Sequence, residues 1–157
     1  MPYSEFLHGR AALGGQIYLV TTVTRARARL FTNLYLGRIV VRTLHDPATT
    51  ASATTLAYVV MPDHLHWLLQ LQSGSDLSEV VWAVKGRSSF EINRARDARG
   101  CCVWQQRFHD RALRSDEQVG VVARYVVCNP IRAGLVKRLH DYSLWDCVWM
   151  GGESESG

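Results

Sequence analysis

Two apolar runs meet at a two-residue break, Pro62-Asp63, and the break fixes how they pair. Residues 54–61 and 64–71 are rich in β-branched, aromatic and aliphatic side chains, the composition of strands. So short a link joins antiparallel neighbours, because a parallel crossover needs a dozen residues or more. The chain is therefore predicted to contain a hairpin. Side chains alternate across a strand, so the second run has two unlike faces. Leu65, Trp67, Leu69 and Leu71 form an apolar face. His64, His66, Leu68 and Gln70 form the other, and on it two imidazoles stand side by side. An isolated His-x-His pair more often fills ordinary polar positions. Two imidazoles on one face also suit a divalent metal ion.

Period and punctuation place the other elements. Gln16 to Thr24 reads as a strand, followed by a basic connection with Arg25, Arg27 and Arg29. Thr32 is expected to cap a helix whose inner face is Leu36, Ile39, Val40, Thr43 and Leu44, with Asp46-Pro47 as its stop. Ser75 or Asp76 caps a second helix that buries Leu77, Val80, Val81 and Val84. That helix turns basic at Arg94, Arg96 and Arg99 and is predicted to stop at Gly100. Residues 103–113 are predicted as a fourth strand. Ser115-Asp116-Glu117 is expected to open a last helix carrying Val119, Val122, Ala123, Val126 and Val127, with Pro130 ending it.

This order predicts an α+β fold: a ferredoxin-like split βαβ antiparallel sheet with helices on one face, plus an appended C-terminal helix bearing Tyr125. Residues 1–150 are expected to form one domain, with Leu135 to Trp149 packing back on the sheet through Tyr142, Trp145 and Trp149. Residues 151–157 read as a disordered tail.

Composition narrows the function. Apolar residues make up 47% of the 157, so a packed core is expected. No apolar run reaches membrane-spanning length and the first ten residues lack a signal-peptide pattern, so a cytoplasmic protein with no membrane partner is expected. The four cysteines (Cys101, Cys102, Cys128, Cys147) have no zinc-ribbon spacing and are read as reduced thiols. Eighteen bases face fourteen acids, and sixteen of the eighteen are arginine. The acids concentrate late: residues 1–140 hold all eighteen bases and ten acids, a formal +8. Arginine forks match phosphate oxygens, which makes nucleic acid a natural partner, although genome composition also favours arginine over lysine.

The last helix supplies further chemistry. Tyr125 and Asn129 are four residues apart, so phenol and carboxamide are expected on one helical face about a turn apart; the plainer alternative is that Tyr125 packs and Asn129 caps. Asn129 also falls near the helix C-terminus, where a cation is favoured.

Taken together, the motifs resemble the REP-associated tyrosine transposases of the HUH endonuclease superfamily. His64-Leu65-His66 matches the His-hydrophobe-His motif. Residues 57–66 (AYVVMPDHLH) are similar to the family's hairpin, and residues 103–114 (VWQQRFHDRALR) to the strand before its tyrosine helix. Residues 124–136 (RYVVCNPIRAGLV) resemble that helix. The similarity runs from about residue 16 to residue 149. It is loose at Gly14-Gly15-Gln16-Ile17-Tyr18, the segment that helps the family read its guide bases.

The resemblance implies a metal-dependent endonuclease and strand transferase acting on single-stranded DNA hairpins, REP-like palindromes. Tyr125 would be the nucleophile and form a 5′-phosphotyrosine. His64, His66 and Asn129 would hold a divalent ion, Mg²⁺ or Mn²⁺, and imidazole ligands suit Mn²⁺ somewhat better. Arg25, Arg27, Arg29, Lys85, Arg87, Arg107 and Arg111 are the candidate phosphate contacts, and His109 a candidate for supporting the metal from behind. Trp67 and Trp82 read as core residues that could otherwise stack on bases. The family's REP-associated branch implies a monomer rather than a helix-swapped dimer. A catalytically inactive hairpin-binding regulator on the same fold is the alternative. A zinc hydrolase is a weaker third, since Asp63 is the one carboxylate beside the histidines.

Overall fold

The computed structural model of the protein describes residues 15–148. Five strands form one antiparallel sheet: β1 (Ile17–Val23), β2 (Ala53–Met61), β3 (His64–Leu71), β4 (His109–Ala112) and β5 (Trp145–Cys147), in the order β4-β1-β3-β2-β5. Three main helices cover it: α1 (Leu34–His45), α2 (Leu77–Arg96) and α3 (Val119–Val127). The first four strands keep the split βαβ order, with β3 inserted between β1 and β2. The expected disordered tail and Trp149 lie outside the described residues.

The two faces of β3 divide the core. Leu65, Trp67, Leu69 and Leu71 pack with Val20, with Leu36, Ile39, Val40 and Leu44 of α1, and with Val80, Val81, Val84 and Ile92 of α2. The opposite face carries α3: Ala123 and Val127 pack on Leu56, Ala57 and Leu68. Both faces of the central strands are thus covered, and β2 is buried at every residue from Leu56 to Met61.

Four boundaries differ from expectation, each for a local reason. Asn33, not Thr32, caps α1, accepting from the amides of Tyr35 and Leu36, while the Thr32 hydroxyl donates to the Arg29 carbonyl. Helix α2 stops where Asp97 turns left-handed (φ 54°), three residues before Gly100. Strand β4 is confined to His109–Ala112, because the backbone before it has another partner. The Lys85 ammonium donates to the carbonyls of Gln105, Gln106 and Arg107, and Trp104 makes a lone bridge to Thr24. Helix α3 begins at Val119 rather than at 115–117, since the Glu117 carboxylate is taken by Arg111 and the Arg114 amide. The segment after α3 does return to the sheet: Trp145 to Cys147 pair with β2, and the Tyr142 hydroxyl donates to the Val60 carbonyl at 2.5 Å.

Trp67 is 1% exposed, with its indole N–H donating to the Thr55 hydroxyl at 3.0 Å. It is a core residue and unavailable to bases. Trp67→Ala is expected to lower unfolding free energy by about 3–5 kcal/mol, measured by urea denaturation. A loss below about 1 kcal/mol would contradict its place at the centre of the sheet.

Candidate active site

The two histidines of β3 open a linked set of polar contacts. His64 Nε2 and His66 Nε2 stand 3.1 Å apart, with the rings nearly perpendicular (84°). Each ring is held from behind. His64 Nδ1 lies 2.6 Å from Asp63 Oδ1, and His66 Nδ1 lies 2.9 Å from the Thr21 hydroxyl. Asp63 also receives Arg27 Nη1 at 3.2 Å.

Asp63 is placed by the backbone around it. Thr24 donates its amide and its hydroxyl to the Asp63 carbonyl, and Phe31 donates its amide to Pro62. The connection between β1 and α1 is thereby tied to the hairpin turn. Ala26 and Arg27 adopt left-handed φ angles of 57° and 51° inside it. Such angles cost a non-glycine residue on the order of 1–2 kcal/mol each. Turning the chain this way delivers the Arg27 guanidinium to Asp63.

The hydrogen bonds constrain the tautomers. An ionised Asp63 only accepts, so His64 Nδ1 carries the proton and His64 Nε2 presents a lone pair. The Thr21 hydroxyl can donate or accept. When it donates to His66 Nδ1, the proton lies on His66 Nε2, between the rings. When it accepts, His66 Nε2 also presents a lone pair, and two bare nitrogens face one point. A cation can replace the inter-ring proton without breaking any contact behind the rings.

The spacing fits one ion. Two nitrogens about 2.1 Å from a common metal stand about 3.0 Å apart at a right angle and about 3.4 Å apart at the tetrahedral angle. The observed 3.1 Å is nearer the right angle of octahedral coordination. Among the described residues no cluster of three or more His, Cys, Asp or Glu assembles, so any third protein donor is of another kind. Asp63 is committed behind His64, which removes the carboxylate that a zinc hydrolase would use.

Burial, with positive charge on His64 and Arg132, pushes His66 from its ordinary 6.5 down to about 4. Burial raises Asp63, but the hydrogen bonds and charges of His64 and Arg27 outweigh it and hold the carboxyl below its usual range.

Helix α3 lies on the histidine face. Its Val126 packs on Val59 and Met61, the β2 residues paired with His66 and His64. The neighbouring Tyr125 is 59% exposed. The helix does not run on to Asn129 as the sequence suggested. It ends at Val127, and Asn129–Arg132 forms a separate turn, so Tyr125 and Asn129 do not share one continuous helical face. Proline explains the break. Pro130 lacks the N–H that would reach the Val126 carbonyl four residues back, and Asn129 Nδ2 donates to that carbonyl instead, at 3.0 Å. The amide nitrogen of Asn129 is thus used structurally, and its oxygen keeps acceptor capacity.

The match to known proteins follows the same frame. The family model described as "Transposase IS200 like" matches residues 14–129. The chain belongs to the IS200-like transposase family. Among relatives of this family, a REP-associated tyrosine transposase of Escherichia coli (strain K12) is 24% identical over 131 residues, 82% of this chain and 74% of that one. A Haemophilus influenzae relative described as "Putative REP-associated tyrosine transposase" is 25% identical over 139 residues, 82% of this chain and 77% of its own. A solved structure of a REP-associated tyrosine transposase bound to a REP hairpin has the same fold, with a TM-score of 0.65 at 24% identity over 84% of this chain and 76% of that one.

Within this IS200-like transposase, the expected phosphate contacts have unequal surroundings. Lys85 is a correction: it is 8% exposed, and three carbonyls hold its ammonium. Arg27 is paired with Asp63, Arg87 with Glu91 at 3.6 Å, and Arg111 with both oxygens of Glu117. Arg25, Arg29 and Arg107 are exposed. His109 is exposed and pairs in register with Thr21, which pairs in turn with His66. His109 and His66 are therefore two strands apart in one row, about 10 Å by strand spacing. Thr21 occupies the supporting position at His66. Trp82, expected in the core, is 62% exposed on α2. Thr21 and Arg132 carry no mark in the sequence, where Asp63 stands as a turn residue and as the one carboxylate beside the histidines. The signal for Asp63 was its adjacency to His64. Thr21 had none before the register of β1 on β3 was known.

Two outcomes are expected. Asp63→Asn should weaken Mn²⁺ binding, read by calorimetry, by about 10–100-fold. Unchanged affinity would show that the contact behind His64 does not matter to the ion. For His66, a lowered folded value means the unfolded chain binds the extra proton first as pH falls. Its contribution is complete above about 6.5 and is lost as pH drops toward about 4. The urea midpoint should fall across that window, and less so in His66→Gln.

Proposed function

We propose that this chain is a single-strand DNA endonuclease and strand transferase that acts on hairpin DNA through a 5′-phosphotyrosine at Tyr125. The divalent ion, Mg²⁺ or Mn²⁺, would be held by His64 Nε2, His66 Nε2 and the Asn129 amide oxygen. The observation that carries the reading is the pair of imidazole nitrogens 3.1 Å apart, each ring held from behind, on the sheet face where α3 lies. The relatives' descriptions name tyrosine transposases, and one solved relative is bound to a REP hairpin, which supports the class of substrate.

The chemistry runs as a phosphoryl exchange. The Tyr125 phenolic oxygen attacks the scissile phosphorus and gives up its proton. The bond from phosphorus to the 3′-oxygen breaks, and that oxygen leaves with the electron pair and takes up a proton as a 3′-hydroxyl. Tyr125 keeps the 5′-phosphate. Attack on the phosphotyrosine by the 3′-hydroxyl of another strand reverses the step and joins DNA without ATP, because one phosphodiester replaces another. A phenol with an ordinary pKa near 10 is a weak nucleophile at neutral pH. The ion, when bound, polarises the phosphate and stabilises charge developing on its oxygens. His64 and His66 contribute orientation, fixed by Asp63 and Thr21. Helix α3 contributes the nucleophile on a solvent-facing position that a DNA strand can reach. The enzyme would act as a monomer in the cytoplasm.

A labelled oligonucleotide with a hairpin and a single-stranded flank, incubated with the protein and Mn²⁺, should yield a covalent protein–DNA adduct on a denaturing gel. Tyr125→Phe should abolish the adduct while still binding the hairpin. Cleavage without adduct would point to hydrolysis. Binding without either would identify a regulator.

A further inference from the structure

One charged group beside the site has no part in that scheme. Arg132 lies in the turn after α3, and its guanidinium carbon is 3.8 Å from the centre of the Tyr125 ring. One of its N–H groups donates to the Tyr125 carbonyl at 2.5 Å, at the helix end where carbonyls lack intrahelical partners. Arg132 is therefore seated against the proposed nucleophile. Its position is set by the fold: Pro130 breaks the helix, the Ala133 amide closes the turn on the Asn129 carbonyl, and Gly134 (φ 76°) leads the chain away.

Arg27, Arg87, Arg111, Arg114 and Arg138 each reach a carboxylate. Arg132 reaches none among the described residues. A guanidinium has five N–H donors in its plane, and stacking uses the face of that plane. The edge remains able to grip an anion while the face stays on the ring. The reaction needs such a group. Two imidazoles and a carboxamide bring no charge of their own, so the ion alone would balance the phosphoryl oxygens as charge builds on them.

We propose that Arg132 is a phosphate-binding residue of this site, its guanidinium edge taking the scissile phosphodiester while its face holds the Tyr125 ring against the same group. This inference rests on the phosphotyrosine reading above. It assigns Arg132 two tasks that one geometry satisfies: neutralising the oxygens under attack and limiting the swing of the nucleophile's ring.

The competing role is structural, a clamp on the Tyr125 carbonyl at the end of α3. Two substitutions separate them. Arg132→Gln keeps an N–H donor for the carbonyl and removes the charge. Arg132→Lys keeps the charge and removes the fork. Single-turnover adduct formation is measured on the full chain with Mn²⁺ and saturating labelled hairpin oligonucleotide, alongside thermal melting. Arg132→Gln is expected to melt with the wild type and to form adduct about a hundredfold more slowly. Arg132→Lys should recover part of that loss. Adduct formation by Arg132→Gln at the wild-type rate would overturn the inference and leave the phosphotyrosine reading intact. Slowing in both variants only in step with a lowered melting temperature would assign the clamp role, also against it. A wild-type protein that forms no adduct would sink both.

Discussion

Two imidazole nitrogens facing each other at 3.1 Å are the constraint around which this end of the molecule is arranged. Bare, they repel; a proton or a metal ion between them turns the contact favourable. Everything behind them works to hold that choice open. Asp63 fixes the tautomer of His64, and the Thr21 hydroxyl accommodates either tautomer of His66. Arg27 holds Asp63, and the left-handed turn at Ala26 and Arg27 delivers Arg27. Strain of this size in an exposed loop suits a site that needs its supporting groups fixed in advance.

The sheet explains why these parts meet. β3 is central, so one of its faces can be given wholly to packing against α1 and α2. That rigid layer frees the opposite face for chemistry. There Leu68 anchors α3 through Ala123 and Val127, while His64 and His66, at the start of the same strand, stay partly exposed. The helix that would bring the nucleophile is thus held by apolar contacts two positions along the same strand from a proposed metal ligand. Proline at position 130 then turns the chain so that Arg132 folds back over Tyr125.

Much of this was legible in the residues. The Pro62-Asp63 break gave the hairpin, alternation gave the two faces of β3, and helical spacing gave the inner faces of α1 and α2. What was not legible depended on long-range partners. The Lys85 ammonium drew three carbonyls from residues 105–107 and shortened β4, which no local propensity encodes. Glu117 read as a helix opener but was claimed by Arg111 across a turn. Tyr125 and Asn129 looked like one helical face, yet the missing N–H of Pro130 diverted the Asn129 amide to Val126. Thr21 became visible only through the pairing of β1 with β3. Single-residue chemistry was readable; the supporting contacts were set by topology.

The most direct measurement is anomalous diffraction from crystals of the protein grown with Mn²⁺. The account predicts one strong peak within about 2.3 Å of both His64 Nε2 and His66 Nε2, with Asp63 and Thr21 still on the Nδ1 atoms. A manganese peak at another position, or rings that remain bonded to each other in saturating metal, would contradict it.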